Sequence, residues 1–253
     1  MSPQESCGVK HLFRSHSLAE IMTDPKAKGE VLSQGAKTAV RKIAKQIVFG
    51  LPSDAFKIES KYLTKGLQCE NSAIALLNTV RGSSYAKNAE RRENEWISGE
   101  PDIVAPDHGV DIKCSWSVDT FPLTAEEGED KTYEWQCRAY MMLFDLPRWE
   151  IAYCLVDTPD NLFGYEDWRL HKVSHIPSVK RITTVLYERD TALEEKIKTK
   201  CEAARTYLET LLTEIELRNN LMLDLNPQAS AVQTATPVAP PPRHMSAKQA
   251  FAS

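Results

Sequence analysis

Ser98-Gly-Glu-Pro-Asp-Ile-Val-Ala-Pro-Asp-His-Gly-Val-Asp-Ile-Lys-Cys-Ser-Trp-Ser117 reads as strand, turn, strand. Pro106-Asp107-His108-Gly109 has the composition and order of a four-residue turn, with proline setting φ and glycine closing it. In Val110-Asp111-Ile112-Lys113-Cys114, successive side chains point to opposite faces. Val110, Ile112 and Cys114 are therefore expected to face a core, and Asp111 and Lys113 to share the other face. Folding about 106–109 with Ala105 opposite Val110 sets Asp102 opposite Lys113, one cross-strand diagonal from Asp111. The three then occupy one face. This requires a loop of even length, because a one-residue slip sends every side chain to the opposite side.

Two carboxylates and an ammonium converging on one sheet face suit hydrolysis of a phosphodiester. Carboxylates are hard oxygen ligands for Mg²⁺, with Mn²⁺ able to substitute. Such an ion acts as a Lewis acid and lowers the pKa of a bound water. A lysine beside it orients or deprotonates that water and stabilises developing negative charge. The plainer alternative is a surface hairpin carrying an Asp–Lys pair, worth under about 1 kcal/mol.

Working outward, a helix expected over residues 65–80 places Glu70 on the stripe of Ala73, Ile74 and Leu77, the side that faces the core. A carboxylate there needs a compensating partner, since an unpaired buried charge is very costly. A metal shared with Asp102 and Asp111 supplies one; a place at the rim of the stripe, helped by the helix dipole, is the alternative. Gln136 and Tyr140 lie four apart, on one face of a helix expected over 130–144. Both side chains can hydrogen-bond to phosphate or orient the lysine.

Glu70, Gly99-Glu100-Pro101-Asp102, Asp111-Ile112-Lys113 and Gln136-x-x-x-Tyr140, in that order, resemble the PD-(D/E)xK nuclease superfamily. The nearest branch is the phage-type exonucleases related to lambda exonuclease and the RecB nuclease domain. The resemblance spans roughly residues 12 to 215 and includes Leu32–Lys37, Tyr62–Gly66 and Ser115–Pro122. It implies an α/β fold with an α-β-β-β-α-β core, a mixed sheet flanked by helices and a long C-terminal helix. It also implies that Glu70, Asp102, Asp111 and the Ile112 carbonyl bind one or two Mg²⁺ ions, that Lys113 assists the attacking water, and that Gln136 and Tyr140 support the site. The expected activity is exonucleolytic hydrolysis of linear double-stranded DNA to expose single strands for recombination or repair. A phage setting, a single-strand annealing partner and a homo-oligomer go with it. An endonuclease or junction resolvase on the same core is the second reading, and a non-catalytic DNA-binding protein of this fold the third.

A phosphate-binding pocket does not align securely. Arg14 and Ser17 are candidates, since a helix N-terminus beside an arginine attracts anions. Ser17 and Glu20, however, also fit the S-x-x-E capping box. A basic helix over 35–48 carries Lys37, Arg41, Lys42 and Lys45, placed either to track phosphates or to form a solvated face.

The net charge of −4 is no advertisement for nucleic acid, but a local basic surface around an acidic centre is compatible with it. Apolar residues make up 42% of 253, enough for a sizeable core, and no run approaches a membrane span. The first residues lack the pattern of a signal peptide, so a cytoplasmic protein is expected. The six cysteines (Cys7, Cys69, Cys114, Cys137, Cys154, Cys201) form no C-x-x-C pair, which argues for buried thiols rather than a zinc or iron–sulfur site. Trp116, Trp135, Trp149 and Trp168 read as core or rim residues. A buried strand is expected over 151–156, irregular chain over 157–188, and a long helix over 189–223. Along that helix Ile197, Cys201, Ala204, Leu208, Leu211 and Ile215 make a heptad-like seam. The expected organisation is an N-terminal segment (1–30), a nuclease domain including the C-terminal helix (31–223), and a disordered tail rich in Pro, Ala and Ser (224–253).

Overall fold

A computed structural model describes residues 11–52, 55–56 and 59–226. Cys7 and residues 227–253 of the expected disordered tail (224–253) lie outside the described residues, while 224–225, expected in that tail, belong to the last helix. The chain divides into two compact units, Met1–Leu211 and Leu212–Ser253. The first contains every element discussed here except the end of the last helix. Residues 212–225 of the second continue that helix, with Leu217, Leu221 and Leu225 exposed.

In chain order the elements are β1 (Phe13–Arg14), a 3₁₀ turn (Ser15–Ser17), α1 (Ala19–Met22), α2 (Gln34–Val48), α3 (Lys61–Arg81), β2 (Arg92–Glu93), β3 (Ile97–Gly99), β4 (Ile103–Val104) and β5 (Gly109–Cys114). They continue with α4 (Ala125–Gly128), α5 (Lys131–Phe144), β6 (Arg148–Cys154), α6 (Asp160–Phe163), β7 (Ile182–Glu188) and α7 (Thr191–Leu225). The mixed sheet has the order β4-β5-β6-β7, with β5 and β6 parallel and both outer pairs antiparallel. A small second sheet, β1-β3-β2, delivers Ser98 and Gly99 to the edge of the site. This is the mixed α/β fold with a long last helix that the motif order implies.

Each helix near the site starts where a polar side chain satisfies free backbone donors. Ser60 accepts from Leu63 N at the start of α3, and Asp130 accepts from Thr132 N and Tyr133 N at the start of α5. The end of α5 is turned by Asp145 in the left-handed region at φ 55°, a conformation that Asp tolerates better than most residues. One face of β5 (Val110, Ile112) packs with Ile103 against Ala73, Ile74 and Leu77 of α3. The opposite face carries Asp111 and Lys113 toward α5, as alternation requires.

Four expectations are corrected. First, the hairpin pairs Ile103 with Val110 and Val104 with Gly109, so the loop is Ala105–His108, closed by Ala105 N donating to His108 O at 2.9 Å. Continuing that register, Asp102 comes opposite Asp111, not Lys113. The displacement is two residues, which preserves the faces. The reason lies at Gly109, where a Cβ would come 2.3 Å from the Trp149 ring; glycine lets the strand start there, flat against the indole. Second, residues 157–188 are not irregular throughout: Ile-Thr-Thr-Val-Leu-Tyr-Glu, rich in β-branched residues, forms β7. Third, no capping box forms at Ser17. Its hydroxyl donates back to Arg14 O at 3.2 Å, and the first turn of α1 has no side-chain cap. Fourth, Trp168 is neither core nor rim but 61% exposed.

Cys69, Cys137, Cys154 and Cys201 are buried, and Cys114 is half-buried; all five are free thiols. Ile197, Cys201, Ala204 and Leu208 of the heptad-like seam are buried within the first unit. Phe13, Leu18, Ile21 and Met22 are buried too. Among the described residues no helix is long and apolar enough to cross a membrane.

Candidate active site

A cleft of about 600 Å³ is lined by Glu70 from α3, Asp102, Asp111, Ile112 and Lys113 from the hairpin, and Gln136 and Tyr140 from α5. All six side chains picked out as catalytic, together with Ile112, meet in this one concavity. Asp111 is almost fully buried. Its Oδ1 accepts from Gln136 Nε2 at 3.2 Å, and Lys113 Nζ lies 2.6 Å from its Oδ2. Gln136 is the hub: its Nε2 also donates to the Tyr140 hydroxyl at 3.0 Å, while its Oε1 accepts from Lys113 at 3.3 Å. The Tyr140 hydroxyl in turn reaches Glu100 O at 3.4 Å. Asp102 Oδ2 accepts from the Ile112 backbone N–H at 2.7 Å, which ties the two strands together just past the end of their ladder.

The electrostatics are those of crowded, dehydrated carboxylates. Burial, with the charge of Asp111 added, pushes the Asp102 carboxyl up to about 7. Lys113 responds in the opposite sense. Burial opposes its charge, but the adjacent Asp111 carboxylate outweighs that and holds the ammonium above the ordinary lysine range. Burial, again with Asp111 beside it, pushes the Tyr140 hydroxyl well up, so it serves as a neutral donor and acceptor.

Among the described residues no three His, Cys, Asp or Glu side chains are grouped closely enough to hold a metal ion as they stand. Glu70 is drawn instead to Lys87 (Oε2–Nζ 2.7 Å), and Asp111 to Lys113. The donor set nonetheless fits a divalent cation. Glu70 Oε1 is buried without a partner, and Asp111 Oδ2 has no aligned hydrogen-bond donor, only the neighbouring ammonium. Unsatisfied buried carboxylate oxygens are costly, and hard cations are what such oxygens bind. Glu70, Asp102 and Asp111 would be the residues to hold one, once Glu70 left Lys87 and Asp111 left Lys113.

The four residues considered for DNA contact fare differently. Arg14 lines a smaller pocket of about 250 Å³ with Arg91, His16 and Ser98, bordered by Glu100 and Tyr140, which also belong to the main cleft. Ser17 does not line it. Lys37 is paired with Glu30 at 2.7 Å, and Arg41 stacks over Tyr207 at 5.6 Å. Neither lines the cleft.

Three nearby residues escaped the sequence reading. Lys87 sits on a segment anchored along the hairpin by Asn88, whose N–H donates to Asp102 O at 2.7 Å. Tyr133 places its ring under Lys113, 4.3 Å from Nζ to the centroid. Its position three residues before Gln136, on the same helix face, was the available signal. Lys65 is fully buried, and its Nζ donates to the carbonyls of Ser115 (2.6 Å), Trp116 (3.0 Å) and Val156 (3.0 Å), pinning the chain that leaves β5.

No protein-family model matches this chain, and a search of curated proteins finds no match. Solved structures do match. A phage-related exonuclease from Haemophilus somnus 129PT is 37% identical with a TM-score of 0.75, over 81% of this chain and 97% of that one. An alkaline exonuclease from Laribacter hongkongensis is 18% identical with a TM-score of 0.60, over 83% and 94% of the two chains. A structure of that second enzyme in complex with dAMP gives 18% and 0.59. The Laribacter enzyme is evidence for the fold alone; the Haemophilus one is related in sequence over nearly its whole length. The protein therefore belongs to the phage-related exonucleases of the PD-(D/E)xK type, and it is a nuclease.

Proposed function

We propose that the protein is a Mg²⁺-dependent deoxyribonuclease that degrades linear double-stranded DNA from an end and leaves single strands for recombination or repair. The observation that carries this reading is the pairing of buried Asp111 with Lys113 beside Asp102, in a cleft where Glu70 keeps a buried oxygen without a partner. A protein that only bound DNA would gain nothing from burying carboxylates against phosphate.

Glu70, Asp102, Asp111 and the Ile112 carbonyl would hold the ion, which supplies Lewis acidity toward the phosphoryl oxygen and an acidified water. Lys113, fixed by Asp111, Gln136 and the Tyr133 ring, would orient the attacking water and meet the charge that develops on the phosphate. Gln136 and Tyr140 keep the carboxylate and the lysine in register. Arg14 and Arg91 form the basic wall on which a terminal phosphate would rest, next to Glu100 at the cleft edge. Lys37 and Arg41, each engaged elsewhere, are at most peripheral phosphate contacts. A phage origin and an annealing partner follow from resemblance alone.

The test is a digestion series with purified protein. Linear duplex with Mg²⁺ should release nucleotides, a covalently closed circle should survive, and EDTA should stop the reaction. Cutting of the closed circle would favour an endonuclease or resolvase on the same core. DNA binding without Mg²⁺-dependent cleavage would refute the enzymatic reading.

A further inference from the structure

Glu70 differs from the other carboxylates of the cleft in what balances its charge. Its side chain is 15% exposed; Oε2 accepts from Lys87 Nζ at 2.7 Å, while Oε1 is buried without a partner. An ammonium therefore satisfies one of its two oxygens. The Lys87 side chain is 53% exposed and comes from neither α3 nor the hairpin, but from the irregular segment between α3 and β2. That segment is fixed next to Asp102. The Asn88 N–H donates to Asp102 O at 2.7 Å, and Asn88 Nδ2 donates to Pro101 O at 3.0 Å. The backbone at Lys87 is thus pinned beside the strand, and its freedom lies in the long side chain.

The cleft brings together Glu70, Glu100, Asp102 and Asp111, and the two lysines set against them are held differently. Lys113 is half-buried and gripped by Asp111, Gln136 and the Tyr133 ring. Lys87 reaches in from solvent to Glu70, and the charges of Asp102 and Glu100 act on it as well. A buried carboxylate needs a counter-charge, and a half-exposed ammonium returns to water at little cost. Hard divalent cations bind the same oxygens. We propose that Lys87 is a displaceable counter-ion for Glu70: its ammonium keeps the carboxylate charged and in place, yields it to a divalent cation, and by that competition sets how tightly the cleft takes the ion. Lys87 is then a positioning residue, acting through Glu70. The proposal rests on the metal-dependent reading above and deepens it.

The experiment titrates Mn²⁺ into full-length protein without DNA, by calorimetry at alkaline pH, where protons do not compete for the carboxylates. K87M should bind Mn²⁺ about two- to ten-fold more tightly than the wild type, the scale of an ion pair with one half-exposed partner. K87R, which keeps the charge, should show no gain. Damage to the fold weakens a metal site, so a gain is a result that a merely structural role does not produce. E70Q should bind more weakly than the wild type, and adding K87M to it should change nothing further, because the two act through one contact. A gain under about two-fold in K87M, or weaker binding, would overturn the inference. So would an equal gain in K87R, or a gain that persists in the E70Q background. Mn²⁺ binding that is present in the wild type and weakened in E70Q, with K87M unaltered, removes the role of Lys87 alone. Wild-type protein that takes no Mn²⁺ removes the metal-dependent reading and this inference with it.

Discussion

Two lysines near the hairpin, the buried Lys65 and the half-buried Lys113, have surroundings that differ in kind. Lys65 is completely enclosed, and its three donors meet three backbone carbonyls. All three of its donors are used. Lys113 is held by Asp111, Gln136 and the face of Tyr133, yet in the same cleft Glu70 keeps a buried oxygen without a partner, and Asp102 is pushed to about 7. The first lysine closes a network and the second leaves one open. A closed polar network fixes a fold, whereas an open one retains the capacity to bind a cation and substrate.

The contrast can be broken most forcefully at the open site. Asp111→Asn and Lys113→Ala should each lower hydrolysis of linear duplex by about 10³-fold, the scale of losing an acid–base or electrostatic group. Thermal melting should show both variants folded. Activity within about ten-fold of wild type would mean the pair is structural after all.

At the closed site the effect should fall on stability. Lys65→Met removes the ammonium donor from the Ser115 and Val156 carbonyls, while the Trp116 carbonyl keeps the Thr158 hydroxyl, and should cost roughly 3 kcal/mol in urea denaturation, with turnover per folded molecule near that of wild type. A large loss of turnover at unchanged stability would erase the distinction between the two lysines.

Proton linkage sharpens the comparison further. The folded protein raises the Asp102 carboxyl to about 7, above its ordinary value of 3.8. Between those values the folded state keeps a proton that the unfolded chain has released, so this contribution to stability is full below the lower value and lost as pH rises through the upper one. The melting temperature of protein in EDTA should carry this decline, and Asp102→Asn should flatten it. An identical profile in the variant would place Asp102 in a wetter, less crowded setting.

The smallest effect is expected at Tyr133. A cation–π contact of about 0.5–2 kcal/mol holds the Lys113 ammonium, so Tyr133→Leu should lower kcat some three- to thirty-fold with little change in KM. Tyr133→Phe, which keeps the ring, should restore it. Equal losses in both variants would assign the effect to the hydroxyl.

The site was more legible in sequence than the frame around it, for a physical reason. Placement of Asp111 and Lys113 on one face depends only on alternation along a strand, and that of Asp102 only on the parity of the loop. The register moved by two residues without disturbing either. Gln136 and Tyr140 followed from helical spacing. What escaped was fixed by tertiary contact. Trp149 against Gly109 set the true register, and β7 gained its identity as a strand by pairing with β6. Lys65 sits in a helix where a lysine ordinarily faces water, and only the carbonyls of distant residues explain its burial. Lys87 and Arg91 reach the site from a segment with almost no regular structure, which no periodicity marks. Ser17 looked like a helix cap because its spacing to Glu20 is right, but the chain begins its turn as a 3₁₀ helix and directs the hydroxyl backward.

The most direct test of the open network is a crystal of the protein grown with Mn²⁺ and measured for anomalous scattering. The account predicts a peak bounded by the carboxylates of Glu70, Asp102 and Asp111, with Glu70 turned away from Lys87. A map with no peak there, and those carboxylates still paired with Lys87 and Lys113 at millimolar Mn²⁺, would contradict it.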